Sequence, residues 1–150
     1  MDDNANPETM RDMNDIRKLA RIQIIMIVLF FVMKFGRQDI LSLTSNNTIE
    51  TVLYSFPNFA EAIIGTMTVT MVLLVARRNI SFIRDRLGDA GLYASAVLIA
   101  AVYVISQEFN LHALGGNNLY DGNDVLFSLI GLAVAWIALL IIRPDYPRTH

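Results

Sequence analysis

Four apolar stretches, each long enough to cross a bilayer or nearly so, fill most of this chain, and its basic residues gather in alternate gaps between them. A lipid interior satisfies no backbone polar group, so such stretches are predicted to be helices, whose hydrogen bonds close within each segment. The mean hydropathy of +0.44 and a charged fraction of 17% fit a membrane interior better than a soluble domain. The expected fold class is all-α: a four-transmembrane-helix bundle.

The spans are predicted at residues 22–43, 57–76, 88–106 and 123–142, each near the 17 to 25 residues that a hydrocarbon core needs. Together they form one domain over residues 21–143, between an N-terminal segment (1–20) and a short tail (144–150). In the N-terminal segment, Asn6, Pro7 and Glu8 make a good helix start. Met10, Met13, Ile16 and Leu19 then recur at helical spacing among charged residues, which predicts an amphipathic helix on the membrane surface. Span 1 shows no small-x-small cleavage site and is expected to remain as a signal anchor. Span 2 is expected to begin near Pro57, a favourable first-turn residue. The basic link 77–87, with Ile80, Ile83 and Leu87 on one side, predicts a brief surface helix.

Orientation follows from the basic residues. Arg11, Arg17, Lys18 and Arg21 precede span 1; Arg77, Arg78, Arg84 and Arg86 join spans 2 and 3; Arg143 and Arg148 follow span 4. The positive-inside rule puts these ten in the cytoplasm, with both termini, and the link between spans 3 and 4 outside. A bacterial inner membrane is the expected location. Close helix packing is expected at pairs of small residues four apart: Gly91 with Ser95, Ala96 with Ala100, and Gly131 with Ala135, the last joining span 4 to span 3. On span 2, Glu61, Gly65 and Thr68 share one face, a polar stripe that should turn from lipid.

This topology brings Glu61, Gln107, Glu108, His112, Asp121 and Asp124 to the outer leaflet, level with Lys34 and Arg37. An ionisable group at membrane depth costs about 2.5 to 3.5 kcal/mol, so Glu61 in particular needs a partner or a function. The sharper reading is an outer polar pocket for a cation or a charged head group. In the plainer reading, Lys34 and Arg37 snorkel to the interface, Asp121, Asn123 and Asp124 cap span 4, and Gln107 and Glu108 mark where span 3 meets water. Cysteine is absent, and no His-x-x-x-His pair, calcium-loop spacing, phosphate loop or nucleophile elbow occurs. Asp121-Gly122 and Asp124 match only the start of the acidic motif of phospholipid-forming alcohol phosphotransferases, whose later Gly and Asp positions are missing. The expectation is therefore a non-enzymatic protein with no cofactor. The net charge of -2 and the lack of a basic run point away from nucleic acid.

The second half of the chain resembles the VanZ-like membrane proteins. Ser106-Gln107-Glu108, a Gly-containing loop and then Tyr120-Asp121-Gly122-Asn123-Asp124-Val125-Leu126-Phe127-Ser128-Leu129-Ile130-Gly131 are similar to that family's signature. There a span ends in an acid and Gln, and the last span opens with Asp and continues through Asn to Gly; Ser128 stands where Asn is common. Ser55-Phe56-Pro57-Asn58-Phe59 is similar to a Pro-Asn pair before span 2 in some relatives. The resemblance, over residues 55–142, implies a four-span envelope protein without an established reaction, some of whose relatives confer low-level glycopeptide resistance. Expected partners are membrane lipids and a larger membrane complex or further copies of the chain, with the protein as accessory subunit or lipid-binding bundle. The competing expectation is a small proton- or cation-coupled transporter that uses Glu61.

Overall fold

The structure, a computed structural model, describes residues 7–44, 46–108 and 122–144. The chain order is α1 (Pro7–Leu43), α2 (Asn47–Asn79), α3 (Ser81–Arg86), α4 (Asp89–Glu108) and α5 (Gly122–Ile142). Four of these, all but α3, contain a stretch long and apolar enough to cross a membrane. The described residues form an all-helical, multi-pass design in which the two C-terminal spans fall within two residues of their predicted bounds.

Two predicted boundaries change. The N-terminal segment is not a separate surface helix, because α1 runs unbroken from Pro7 to Leu43. No Pro or Gly stands between Pro7 and Gly36 to interrupt it. The second correction is at α2, which starts ten residues before Pro57. Asn46 takes an extended backbone there, its side-chain oxygen accepts a hydrogen bond from the Thr48 N–H at 2.9 Å, and Glu50 occupies the first turn. This cap satisfies an otherwise free donor at the helix start. Pro57 therefore lies inside the helix, where it leaves the Leu53 carbonyl without its usual N–H donor.

At 1.5 Å per residue, α1 is about 55 Å and α2 about 50 Å long, whereas α4 and α5 are about 30 Å, the thickness of a hydrocarbon core. Helix α2 is the central element: it packs against α1, α4 and α5, while α4 also touches α5. The core along it contains Ala60, Ile63, Met67 and Leu74 of α2, with Leu19 and Met26 of α1, Leu92 and Tyr93 of α4, and Ala135 and Leu139 of α5. A second cluster joins Ala62 to Ala100, Val104 and Leu132. Two hydroxyls within this apolar seam are internally satisfied: Thr66 and Thr70 donate to the Ala62 and Thr66 carbonyls at 2.7 and 2.8 Å.

One end of the bundle gathers the basic residues. Arg77 at the end of α2 donates from Nη1 to Asp89 Oδ1 at the start of α4, 2.6 Å away. The Tyr93 hydroxyl donates to the Pro144 carbonyl at 2.9 Å, tying the start of α4 to the end of α5. There Arg143 takes a positive φ of 47° and its N–H still reaches the Leu139 carbonyl, a left-handed stop reinforced by the proline that follows. The predicted short helix in the basic link is α3, whose six residues bury nothing. On the lipid side of the bundle, Ile24, Ile25, Val28, Phe31, Val32 and Phe35 form one exposed face of α1. Leu98 and Val102 of α4, and Ile130, Val134, Ile137 and Ile141 of α5, are exposed likewise.

Candidate functional site

The polar residues at the other end are best placed by helix register. Helices α1 and α2 run antiparallel: Gln23 Nε2 donates to Thr68 Oγ1 at 2.7 Å, and the Arg37 guanidinium lies over the Tyr54 ring, 4.3 Å from its centroid. One residue forward on α1 thus answers one residue back on α2, which sets Lys34 level with Pro57. Glu61, one turn further in, is half-buried and within coulombic reach of Lys34. Of the predicted polar stripe, Glu61 and Thr68 meet α1 through Lys34 and Gln23, but Thr68 is exposed and a Cβ at Gly65 would meet nothing within 4 Å, so the stripe is not the inward-turned face expected. Lys34 places its Nζ 5.1 Å from the centroid of Phe30. Among the described residues, neither Lys34 nor Arg37 has a carboxylate within ion-pairing distance. Both cations rest on aromatic faces, which attract positive charge without neutralising it.

A different seam holds Asp124. Gly131 of α5 lies so close to α2 that a Cβ there would be 2.5 Å from the Phe59 carbonyl oxygen and 2.9 Å from the Ala62 Cβ. The small residue predicted to join spans 3 and 4 therefore joins α5 to α2. Both helices run toward the basic end, since Leu74 and Leu139 share the core there. One turn back along each helix from the Gly131 contact stand Ser128 on α5 and Ser55 on α2. Both are buried, at 1% and 0% exposure. One turn further back is Asp124. Ser55 Oγ, Ser128 Oγ and Asp124 Oδ1 are buried atoms without a hydrogen-bond partner.

The predicted outer cluster thus separates into two places on opposite sides of α2. Lys34, Arg37 and Glu61 share the α1–α2 seam, and Asp124 belongs to the α2–α5 seam. Gln107 is exposed at the end of α4. The side chain of Glu108, and Asp121 and His112 entirely, lie outside the described residues. Of the other expected packing residues, Ala96, Ala100 and Ala135 are buried. Gly91 is exposed, with only Leu87 within 4 Å of a Cβ, and the Ser95 hydroxyl donates back to the Gly91 carbonyl at 2.8 Å. The two serines enter the sequence reading only as parts of the VanZ-like motifs and not as candidate site residues. Their signal is a spacing: Asp124, Ser128 and Gly131 fall on one helical face, as do Ser55, Phe59 and Ala62. Among the described residues, no group of three His, Cys, Asp or Glu side chains is arranged to hold a metal ion.

The helices and their exposed apolar faces define an integral membrane protein of the multi-pass class. Comparison with protein-family models, curated proteins and solved structures finds no match to this chain.

Proposed function

We propose that the chain is a non-enzymatic, VanZ-like protein of the bacterial inner membrane, with both termini cytoplasmic. Its α1–α2 seam holds the anionic head group of an outer-leaflet lipid, on its own or as the accessory subunit of a larger membrane complex. The observation that carries this reading is the pair of cations Lys34 and Arg37, which among the described residues have no carboxylate within ion-pairing distance, Glu61 reaching Lys34 only at longer range. They stand toward the end of the bundle opposite its basic links, with Arg37 braced on Tyr54. A phosphate offers both of them the charge-assisted hydrogen bonds they lack. The orientation rests on the basic end, where Arg77, Arg78, Arg84, Arg86 and Arg143 lie together.

Native mass spectrometry of the protein in mild detergent tests the binding. The wild type is expected to retain anionic phospholipid, and Lys34→Ala with Arg37→Ala to bind it at least about tenfold more weakly, as loss of a hydrogen bond to a charged group implies. Identical bound lipid in both proteins removes this reading. For the orientation, cysteines placed singly at Ile80 and Asn123 are expected to label from the cytoplasmic and outer faces respectively; labelling from one face overturns it. The transporter reading has Glu61 as its single support, half-buried and facing Lys34. It requires Glu61→Gln to abolish proton-coupled flux in proteoliposomes while sparing lipid retention, and unchanged flux eliminates it.

A further inference from the structure

We propose that the α2–α5 seam is a binding site for a small monovalent cation, Na+ by its chemistry, held by Asp124, Ser128 and Ser55. The two hydroxyls are the first observation. Elsewhere in the bundle a helical hydroxyl donates back to a carbonyl three or four residues earlier, as Thr66, Thr68, Thr70, Ser95 and Ser106 all do. Ser55 and Ser128 are as buried as the two inner threonines, yet their Oγ atoms make no such bond. Free energy is lost by burying a polar atom in this way unless something meets it.

The carboxylate is the second. An acid in the first turn of a helix ordinarily caps a free backbone N–H, the role expected of Asp124 from its position. Its Oδ1 is instead buried with no donor. Register places it with the serines, because Asp124, Ser128 and Gly131 follow one face of α5 and Gly131 fixes that face against Phe59 and Ala62. Three hard oxygen donors therefore line one seam, and they carry a single negative charge between them.

Charge and access select the ligand. Hard oxygens suit alkali and alkaline-earth cations, and one carboxylate balances one positive charge, whereas a calcium site normally draws on several acids and six to eight oxygens. Both serines are shut off from solvent, at 0% and 1% exposure, an environment that suits a small desolvated ion better than a bulky ammonium head group or a guanidinium. The cationic side chains at this end, Lys34 and Arg37, are committed to the α1 side of α2. A desolvated Na+ matches this charge and donor set.

The test is thermal unfolding of the full chain in nanodiscs, in sodium, potassium and choline chloride at equal ionic strength. The wild type is expected to gain stability saturably with Na+ and not with choline. Asp124→Asn is expected to abolish the gain, and Ser128→Ala or Ser55→Ala to raise the half-saturating Na+ concentration about tenfold. In choline the two alanine variants are expected to unfold at or above the wild-type temperature, since a methyl group there replaces an unmet hydroxyl. Equal unfolding temperatures of the wild type in all three salts overturn the proposal. So does a Na+ response that survives both Asp124→Asn and Ser128→Ala, which places the ion elsewhere. Alanine variants equally destabilised in every salt also overturn it, by making the hydroxyls purely structural. The site is independent of the head-group reading: Lys34→Ala with Arg37→Ala is expected to leave the Na+ response intact.

Discussion

Replacing Gly131 with leucine is expected to separate α5 from α2 and abolish the cooperative unfolding transition of the bundle. The first atom of any side chain there meets the Phe59 carbonyl at 2.5 Å, and this obstacle is main chain inside a helix rather than a mobile side-chain tip. Relief requires one helix to move away, and the Ala62–Leu132 contacts beside it are lost with the shift. Overpacking a well-filled interface costs about 1 to 3 kcal/mol for small additions. Gly131→Ala belongs in that range, with up to about 1 kcal/mol offset by the better helix propensity of alanine. Leucine, three carbons larger, exceeds what the seam can absorb. Gly65→Ala is the control, since a Cβ there meets nothing within 4 Å. It is expected to hold or raise the unfolding temperature. If Gly131→Leu unfolds like the wild type in mild detergent, α5 does not pack on α2 as described.

The second large effect is expected at the basic end. Asp89→Ala removes the carboxylate from Arg77, whose side chain is only 8% exposed, and leaves the guanidinium without that partner. Breaking a fully buried pair costs about 3 to 5 kcal/mol. Asp89 is itself 54% exposed, so water recovers part of this and a loss of about 1 to 3 kcal/mol follows. The same substitution takes an acid from the first turn of α4, where it complements the helix dipole. Asp85→Ala, by contrast, disturbs a 3.7 Å contact with Arg84 between two exposed side chains and is expected to stay within about 0.5 kcal/mol of wild type. Denaturant titration of the two variants side by side measures the difference; equal effects mean that the Arg77–Asp89 contact does not hold α2 to α4.

Depth was legible in the sequence and azimuth was not. Counting residues from the basic links assigns Lys34, Arg37, Glu61 and Asp124 a height along the bundle, because a helix converts residue number into height at a constant rise. Which side of α2 each group faces depends on how α1, α4 and α5 are arranged around it, and no periodicity within one span encodes that. Glu61 and Asp124 looked like members of one cluster for this reason. The early start of α2 is a different case. Asn46, Thr48 and Glu50 carry an ordinary capping pattern, but they stand in a polar stretch that resembles a loop, and Pro57 offered a competing start that the apolar run made more attractive. The serines were hidden by chemistry, since a hydroxyl in a membrane helix usually satisfies itself. Only the packed structure shows that these two do not.

The arrangement of α1 has a further consequence. It leans chiefly on α2, whereas α2, α4 and α5 each touch the other two. Among the described residues the molecule is thus a closed triangle with an outrigger, and the free energy that keeps the outrigger moored is set mainly by its interface with α2. Material lodged in that joint, between Lys34 and Arg37 on one side and Tyr54 and Glu61 on the other, acts on the mooring without straining the triangle.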